Sequence, residues 1–299
     1  MRRSGAMRIL LAIDDSRESS EAARFLAHLS RAERVIVLHA IEPPWPGYPV
    51  LPEYPMLAVE TARELCEAAE EQMRTEARRL LDRIRSVLPQ DLGSVSMAIE
   101  TGPPAEMILK TAEAGCADLI VMGARGREAM PEMALGSVSH RVVTHAACPT
   151  LVVRTALPSL RRVLLPVQGP ADSAAAVRFL AARPFRHPVE LTVLTVLPAA
   201  RSVWDETPPA VETLQTRAME QAREFVTNVA SQVSARGYPA SGVARTGFAV
   251  EEIGRESEES GADLVLIGCR AKREASRFLL GSVAYAVLHR VPRPILVFR

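Results

Sequence analysis

One pattern constrains the fold of this chain more than any other. An apolar run, Asp118-Leu-Ile-Val-Met122, ends in the turn Gly123-Ala-Arg-Gly126; nine residues later Gly136-Ser137 opens a helix-like run through Thr144. Glycines so spaced sit at the C-terminal end of a strand and at the N-terminus of a helix. A parallel α/β sheet offers its phosphate-binding surface there, because backbone N–H groups point outward, the helix dipole favours an anion, and missing side chains let phosphate oxygens approach. The pattern then returns with one loss. Asp263-Leu-Val-Leu-Ile-Gly268-Cys-Arg-Ala271, nine residues and Gly281-Ser282 repeat it, with Ala271 in place of the second glycine.

The echo extends in both directions. Thr101-Gly102 with Glu106 matches Thr246-Gly247 with Glu251, and Pro149-Thr-Leu-Val-Val-Arg154 matches Pro294-Ile-Leu-Val-Phe-Arg299. Arg24-Phe-Leu26 and Val59-Glu-Thr61 return as Arg178-Phe-Leu180 and Val211-Glu-Thr213. This is an internal duplication, and two copies of about 145 residues are each of ordinary domain size. The expected division is a short disordered leader over 1–6, one domain over 7–155 and a second over 160–299. The leader carries no apolar segment of the secretory kind. The linker around Thr155–Ser159 is short, so the halves are expected to pack together.

Each half reads as alternating strands and helices. The first half's strands are Arg8–Ile13, Arg34–Ala40, Ser94–Glu100, Leu119–Met122 and Thr150–Val153; the second's are Arg162–Val167, Val189–Leu197, Ser241–Arg245, Leu264–Ile267 and Ile295–Val297. They are short and rich in Val, Ile and Leu, as strands buried on both faces should be. Helices are expected over Ser19–Ser30, Val59–Leu88, Glu106–Ala114 and Val211–Ala235. Val59–Leu88 carries one apolar stripe of Leu65, Met73, Leu80, Leu81, Ile84 and Leu88. This alternation implies parallel sheets with helices on both faces. The Pro-rich stretches Glu42–Pro49 and Pro198–Pro209 read as loops near a site mouth.

Composition excludes several function classes. With 48% hydrophobic residues the chain can fill two cores, and a net charge of +1 suggests no nucleic-acid partner. Cys66, Cys116, Cys148 and Cys269 form no C-x-x-C pair and read as small buried apolar residues in a reducing, cytoplasmic compartment. No apolar run reaches membrane-spanning length. The histidines, His39 and His140 among them, have no metal spacing. A hydrolase G-x-S-x-G, a Walker G-x-x-x-x-G-K-[ST] and a dinucleotide G-x-G-x-x-G are all missing.

Asp14 ends the first strand and faces the ligand crevice, where it can accept from a base or ribose; Asp15 or Ser16 suits the cap of the next helix. Arg125 and Arg127 flank the glycine turn and could pair with phosphates or stand in solvent. In the second half Gln168 stands where Asp14 stands in the first. Together with Ala271, it makes that half's site degenerate.

These residues resemble the universal stress protein family across nearly the whole chain, as two tandem copies. The resemblance rests on the strand leading to Asp14, the Thr101-Gly102 turn, the strand to Gly123 with G-x-x-G-x9-G-S, and the closing Pro149-Thr-Leu-Val-Val. It implies two tandem open five-stranded parallel sheets, order 3-2-1-4-5, with helices on both faces and ATP at the strand ends of the first domain. Mg2+ is admitted beside the nucleotide. It implies that Ala12, Ile13 and Asp14 flank adenine and ribose, that Ala40 lines the adenine pocket, and that Met122, Gly123, Arg125, Gly126, Gly136, Ser137, Val138 and Ser139 surround ribose and phosphates. It also implies pairing of the two domains through their last strands and leaves a homodimer open. The leading expectation is an ATP-binding stress-response regulator. The alternatives are a slow ATPase or nucleotide hydrolase using Asp14 or Asp15, and an interaction protein with a vestigial site.

Overall fold

The computed structural model describes residues 7–43, 55–126, 134–199, 209–269 and 280–299. The first half runs β1 (Met7–Ala12), α1 (Arg17–Phe25), β2 (Ala32–Ile41), α2 (Pro55–Val87), β3 (Ser94–Thr101), α3 (Pro104–Ala114), β4 (Leu119–Gly123), α4 (Ser137–His145) and β5 (Thr150–Val153). The second runs β6 (Arg162–Pro166), α5 (Pro170–Ala181), β7 (Glu190–Leu197), α6 (Pro209–Ser234), β8 (Ala240–Thr246), α7 (Ala249–Glu259), β9 (Leu264–Gly268), α8 (Ser282–Arg290) and β10 (Ile295–Phe298). All ten expected strands form within two residues of their expected ends. The expected helix Ser19–Ser30 instead starts at Arg17, because Ser16 caps it, and passes into a 3-10 turn at Leu26–His28.

The strands form one sheet in the order β3-β2-β1-β4-β5-β10-β9-β6-β7-β8. Each half is parallel in the order expected, but the two sheets are not separate. β5 and β10 pair antiparallel, with Leu296 opposite Leu151 and Val297 opposite Thr150. Both strands are wholly buried and apolar apart from Thr150, so neither could remain an open edge. The antiparallel junction points the strand C-termini of the two halves in opposite directions, which places their ligand-facing ends at opposite ends of the sheet.

The junction is reciprocal. Arg154, just after β5, donates to the carbonyl of Leu288 near the end of α8. Arg299, just after β10, donates to the carbonyl of Val143 near the end of α4, at 2.5 Å. These are equivalent positions in the two copies. Between them the His140 and Tyr285 rings meet edge to face at 5.5 Å, and Tyr285 lies 4.5 Å from His289. On the other face an isolated antiparallel bridge joins Leu29 to Phe185, and the Ser30 N–H donates to the Pro184 carbonyl at 2.8 Å. A single apolar core crosses the junction on that face, from Phe25 and Leu26 through Leu151 and Leu296 to Leu180 and Val226.

Two local features explain motifs whose purpose is not visible in sequence. Asp118 pins the start of β1: its carboxylate accepts from the Arg8 backbone N–H at 3.0 Å and from the guanidinium at 3.1 Å. Asp263 repeats this, accepting from the Arg161 and Arg162 N–H groups. The Thr-Gly turns need glycine because Gly102 has φ +141 and Gly247 φ +154. The cysteines correct one expectation. All four are free thiols, but none is fully buried, and Cys116 is exposed at φ +46. It occupies the left-handed position that closes α3, where its N–H and that of Ala117 satisfy the last carbonyls of the helix.

Candidate functional site

A cavity of about 990 Å3 opens at the C-terminal ends of the first half's strands. Its floor is Ala12–Asp14 from β1, Leu38–Ile41 from β2, and Met122 and Gly123 from β4; one wall is the glycine turn with the start of α4, and the opposite wall is α2. All twelve residues expected at a nucleotide site line it: Ala12, Ile13, Asp14, Ala40, Met122, Gly123, Arg125, Gly126, Gly136, Ser137, Val138 and Ser139. They come from four segments far apart in sequence. The parallel register Ala12 opposite Leu38 and Met122 brings them to one level.

Their individual roles differ from simple expectation. Asp14 Oδ1 accepts from the Ser16 hydroxyl at 2.5 Å, the Ser19 hydroxyl at 2.6 Å and the Ser16 N–H at 3.2 Å. The Asp14 N–H in turn donates to Ser19 Oγ at 3.0 Å, so this carboxylate is held in a fixed orientation. Ser16, not Asp15, caps α1, its hydroxyl accepting from the Ser19 N–H at 3.1 Å. Asp15 pairs with Arg83 of α2 at 2.6 Å. His39, which also lines the cavity, holds Nδ1 2.8 Å from the Ile13 carbonyl and ties β2 to the end of β1.

The glycines serve three different purposes. At Gly123 a Cβ would fall 2.9 Å from Glu18 Cβ and 3.0 Å from the Ser19 nitrogen, so the missing side chain admits helix α1 rather than a ligand. At Gly126 a Cβ would stand 2.7 Å from Asp14 Oδ2. Its backbone is not in the left-handed region, so close approach of the carboxylate, not a positive φ, excludes a side chain there. At Gly136 a Cβ would meet nothing nearer than 3.5 Å, so the protein itself makes no demand for glycine.

Gly136 is the N-cap of α4 and makes no side-chain cap. Among the described residues, the first N–H groups of that helix, whose residues Ser137–Ser139 line the cavity, therefore lack the N-cap hydroxyl or carboxylate that usually satisfies one of them. Ser139 Oγ donates to the Gly123 carbonyl at 2.9 Å and is buried, so its proton braces the turn. Arg125 lines the cavity and is held by Glu18: Nε and Nη2 both donate to Glu18 Oε1, at 3.0 and 2.7 Å. Arg127 lies outside the described residues.

Comparison with known proteins settles the family. A family model described as the universal stress protein family matches residues 6–154 and 159–299, nearly the full length. The chain belongs to the universal stress protein family. A Thermus aquaticus universal stress protein, described as lying in the QAH/OAS sulfhydrylase 3' region, is 37% identical over 151 residues, covering 49% of this chain and 97% of that protein. A universal stress protein of Mycolicibacterium smegmatis is 25% identical over 310 residues, covering 97% of this chain and 96% of its own, so it shares the tandem length. Among solved structures, a universal stress protein from Archaeoglobus fulgidus covers 99% of this chain and 97% of its own with a TM-score of 0.61 at 21% identity, a likeness of fold.

The second universal stress protein domain differs at the equivalent place. Gln168 stands in for Asp14, and its N–H donates to Asp172 at 3.2 Å. Gly169-Pro170 replace Asp15-Ser16, and α5 begins without a side-chain cap. The Phe298 ring packs 3.5 Å from where a Gly268 side chain would stand, where the first half has the smaller Val153. Ala271 lies outside the described residues. The one motif residue whose structural role sequence reasoning did not separate is Glu18; its spacing to the glycine turn becomes visible only once α1 packs on β4.

Proposed function

We propose that the first domain binds ATP at the β1–β4 cavity and that the protein is a cytoplasmic, ATP-responsive regulator. The observation that carries the reading is the uncapped N-terminus of α4, opening beside Gly136 onto a cavity of about 990 Å3. Gly136 needs no hydrogen-sized side chain for the protein's own packing, so a phosphate group is the physical reason for glycine there. The resemblance to the ATP-binding branch of the family supports the same ligand. Buried apolar residues Ala12, Ile13 and Met122 suit an adenine, and the fixed Asp14 carboxylate suits a ribose hydroxyl or exocyclic amine as donor.

Among the described residues no group of three or more His, Cys, Asp or Glu side chains forms a metal site. A Mg2+ would enter held by the phosphates and water, as it does where protein carboxylates number one or two; Asp14, which lies against Gly126 and lines the cavity, is the carboxylate placed to join them. No described group is set up as a general base, since Asp14 is engaged by two hydroxyls and His39 by a carbonyl. Hydrolysis, if measured, should be slow. Native mass spectrometry of the full chain with ATP tests the reading. One nucleotide per chain is expected, and two equivalent sites or none would overturn it.

A further inference from the structure

Resting on the reading of the cavity as an ATP site, we propose that Arg79 and Arg83 of α2 are the cationic contacts for the nucleotide's terminal phosphates, and that Arg83 exchanges Asp15 for phosphate when the ligand enters. The two arginines stand one helical turn apart, on one face of α2, and both line the cavity. At about 1.5 Å per residue, a helix the length of α2 is nearly twice as long as the strands it covers. Its C-terminal half packs on the sheet through Ala77, Leu80, Leu81 and Ile84, which fixes Arg79 and Arg83 beside the cavity wall.

Charge balance requires such groups. Among the described residues the other arginine that lines the cavity is Arg125, and it is already paired with Glu18, whose side chain is only 13% exposed. Asp14, Asp15, Glu42 and Glu76 also line the cavity, so without Arg79 and Arg83 a triphosphate would enter a field of carboxylates. The Arg83–Asp15 pair is of the opposite kind to Arg125–Glu18. Its side chains are 58% and 59% exposed. A solvent-screened pair of this sort is weakly held, and a phosphate dianion offers the guanidinium a stronger, fork-shaped partner.

The second domain supplies an internal contrast. The packed half of α2 carries Arg74, Arg78, Arg79, Arg83 and Arg85, whereas α6 has no Lys or Arg from Glu224 to Ser234. Asp15, the partner Arg83 would release, is replaced there by Gly169. The cationic wall and its resting counter-ion are missing together in the half whose glycine block and Asp14 position are also altered.

The test is calorimetric titration of the full chain with ATP and with AMP, for wild type, Arg79→Gln/Arg83→Gln and Arg79→Lys/Arg83→Lys. Both positions are exposed, so the fold should persist, and circular dichroism checks it. The glutamine variant should lose at least tenfold in ATP affinity while AMP changes less than twofold, and the lysine variant should recover most of the loss. Unchanged ATP affinity in the glutamine variant, or equal losses for ATP and AMP, would overturn the proposal while leaving the ATP site standing. A wild-type chain that binds neither nucleotide would overturn the parent reading and this one with it.

Discussion

The two halves of this protein have one fold and two different strand-end surfaces. In the first, Asp14 is oriented by Ser16 and Ser19, α1 is capped by Ser16, and a glycine turn faces an arginine-bearing helix across a cavity. In the second, glutamine, glycine and proline replace the Asp14-Asp15-Ser16 run, and the long helix carries no Lys or Arg from Glu224 to Ser234. Both halves keep what the sheet requires: the Asp118 and Asp263 pins, the left-handed Thr-Gly turns and the apolar last strands. The groups that hold strands in register are thus common to both halves, and several that line the first half's cavity are not.

The largest effect should come from breaking that partnership. Val297→Pro would remove a backbone donor from β10, which is flanked by β9 and β5 and so has no open edge to tolerate it. The expected result is separated halves or precipitation; an unchanged hydrodynamic radius, solubility and interdomain hydrogen exchange would refute the role given to this junction.

The arginine pair offers a sharper cut. Arg154 donates to two carbonyls, Leu288 in the other half and Ala134 just before the α4 cap, and burial pushes its guanidinium down to about 10. Arg299 donates to one, Val143; among the described residues its Nε and Nη1, like Arg154 Nε, are buried without a partner. Arg154→Met should cost roughly 3–6 kcal/mol in urea unfolding, since it removes two hydrogen bonds from a charged donor worth about 1.5–3 kcal/mol each, and Arg299→Met about half as much. Equal losses would mean that the junction is symmetric in energy as well as in geometry.

The cavities can be compared by the same substitution at equivalent positions. Gly126→Val places a branched side chain against Asp14 Oδ2 and in the cavity. It should weaken ATP binding at least a hundredfold, about 2.7 kcal/mol, and lower the thermal midpoint because Asp14 must shift, while the circular-dichroism spectrum stays that of a folded chain. Ala271→Val in the second copy should leave ATP affinity and stoichiometry as they are. If the second substitution is the damaging one, the assignment of the site to the first half is wrong.

The smallest effect is a pH dependence of the junction. His289 lies under Tyr285, near His140 and Arg154, and burial and these neighbours hold its imidazole below the usual value of about 6.5. The unfolded chain therefore takes up this proton first, so the stability it supports is whole above about pH 6.5 and is lost as pH falls toward the depressed folded value. His289→Thr, which copies Thr144 of the first half, should flatten the fall in urea midpoint between pH 7.5 and 5.5. An unaltered slope would assign it to other groups.

Much of this architecture was legible in the residues because its signals are local. Val- and Ile-rich runs bounded by glycine and charge specify buried parallel strands, and the duplicated blocks gave both domains; pairing through the last strands was implied by the family resemblance, and the structure sets its register at Thr150–Val152 with Ile295–Val297 rather than Leu151–Val153 with Leu296–Phe298. The twelve residues that the family resemblance implied line one cavity because strand ends in a 3-2-1-4-5 sheet converge there. What the glycines do was not legible. Gly123 makes room for Glu18 on α1, Gly126 for Asp14, and Gly136 for nothing within the protein. The letter is the same in each, and only the neighbours brought from elsewhere in the chain distinguish them. Arg125 is the same lesson in charge: in sequence it belongs to a phosphate turn, but in three dimensions Glu18 holds it. The sequence by itself determined two α/β domains and the end of the sheet at which a ligand would sit, since periodicity and turn chemistry act over a few residues; the strand order within each half was implied by the family resemblance. Tertiary structure decided that the two sheets are one, that Arg154 and Arg299 reach across it, and that Arg79 and Arg83 face the cavity, because each of those contacts joins groups that only packing brings within reach of one another.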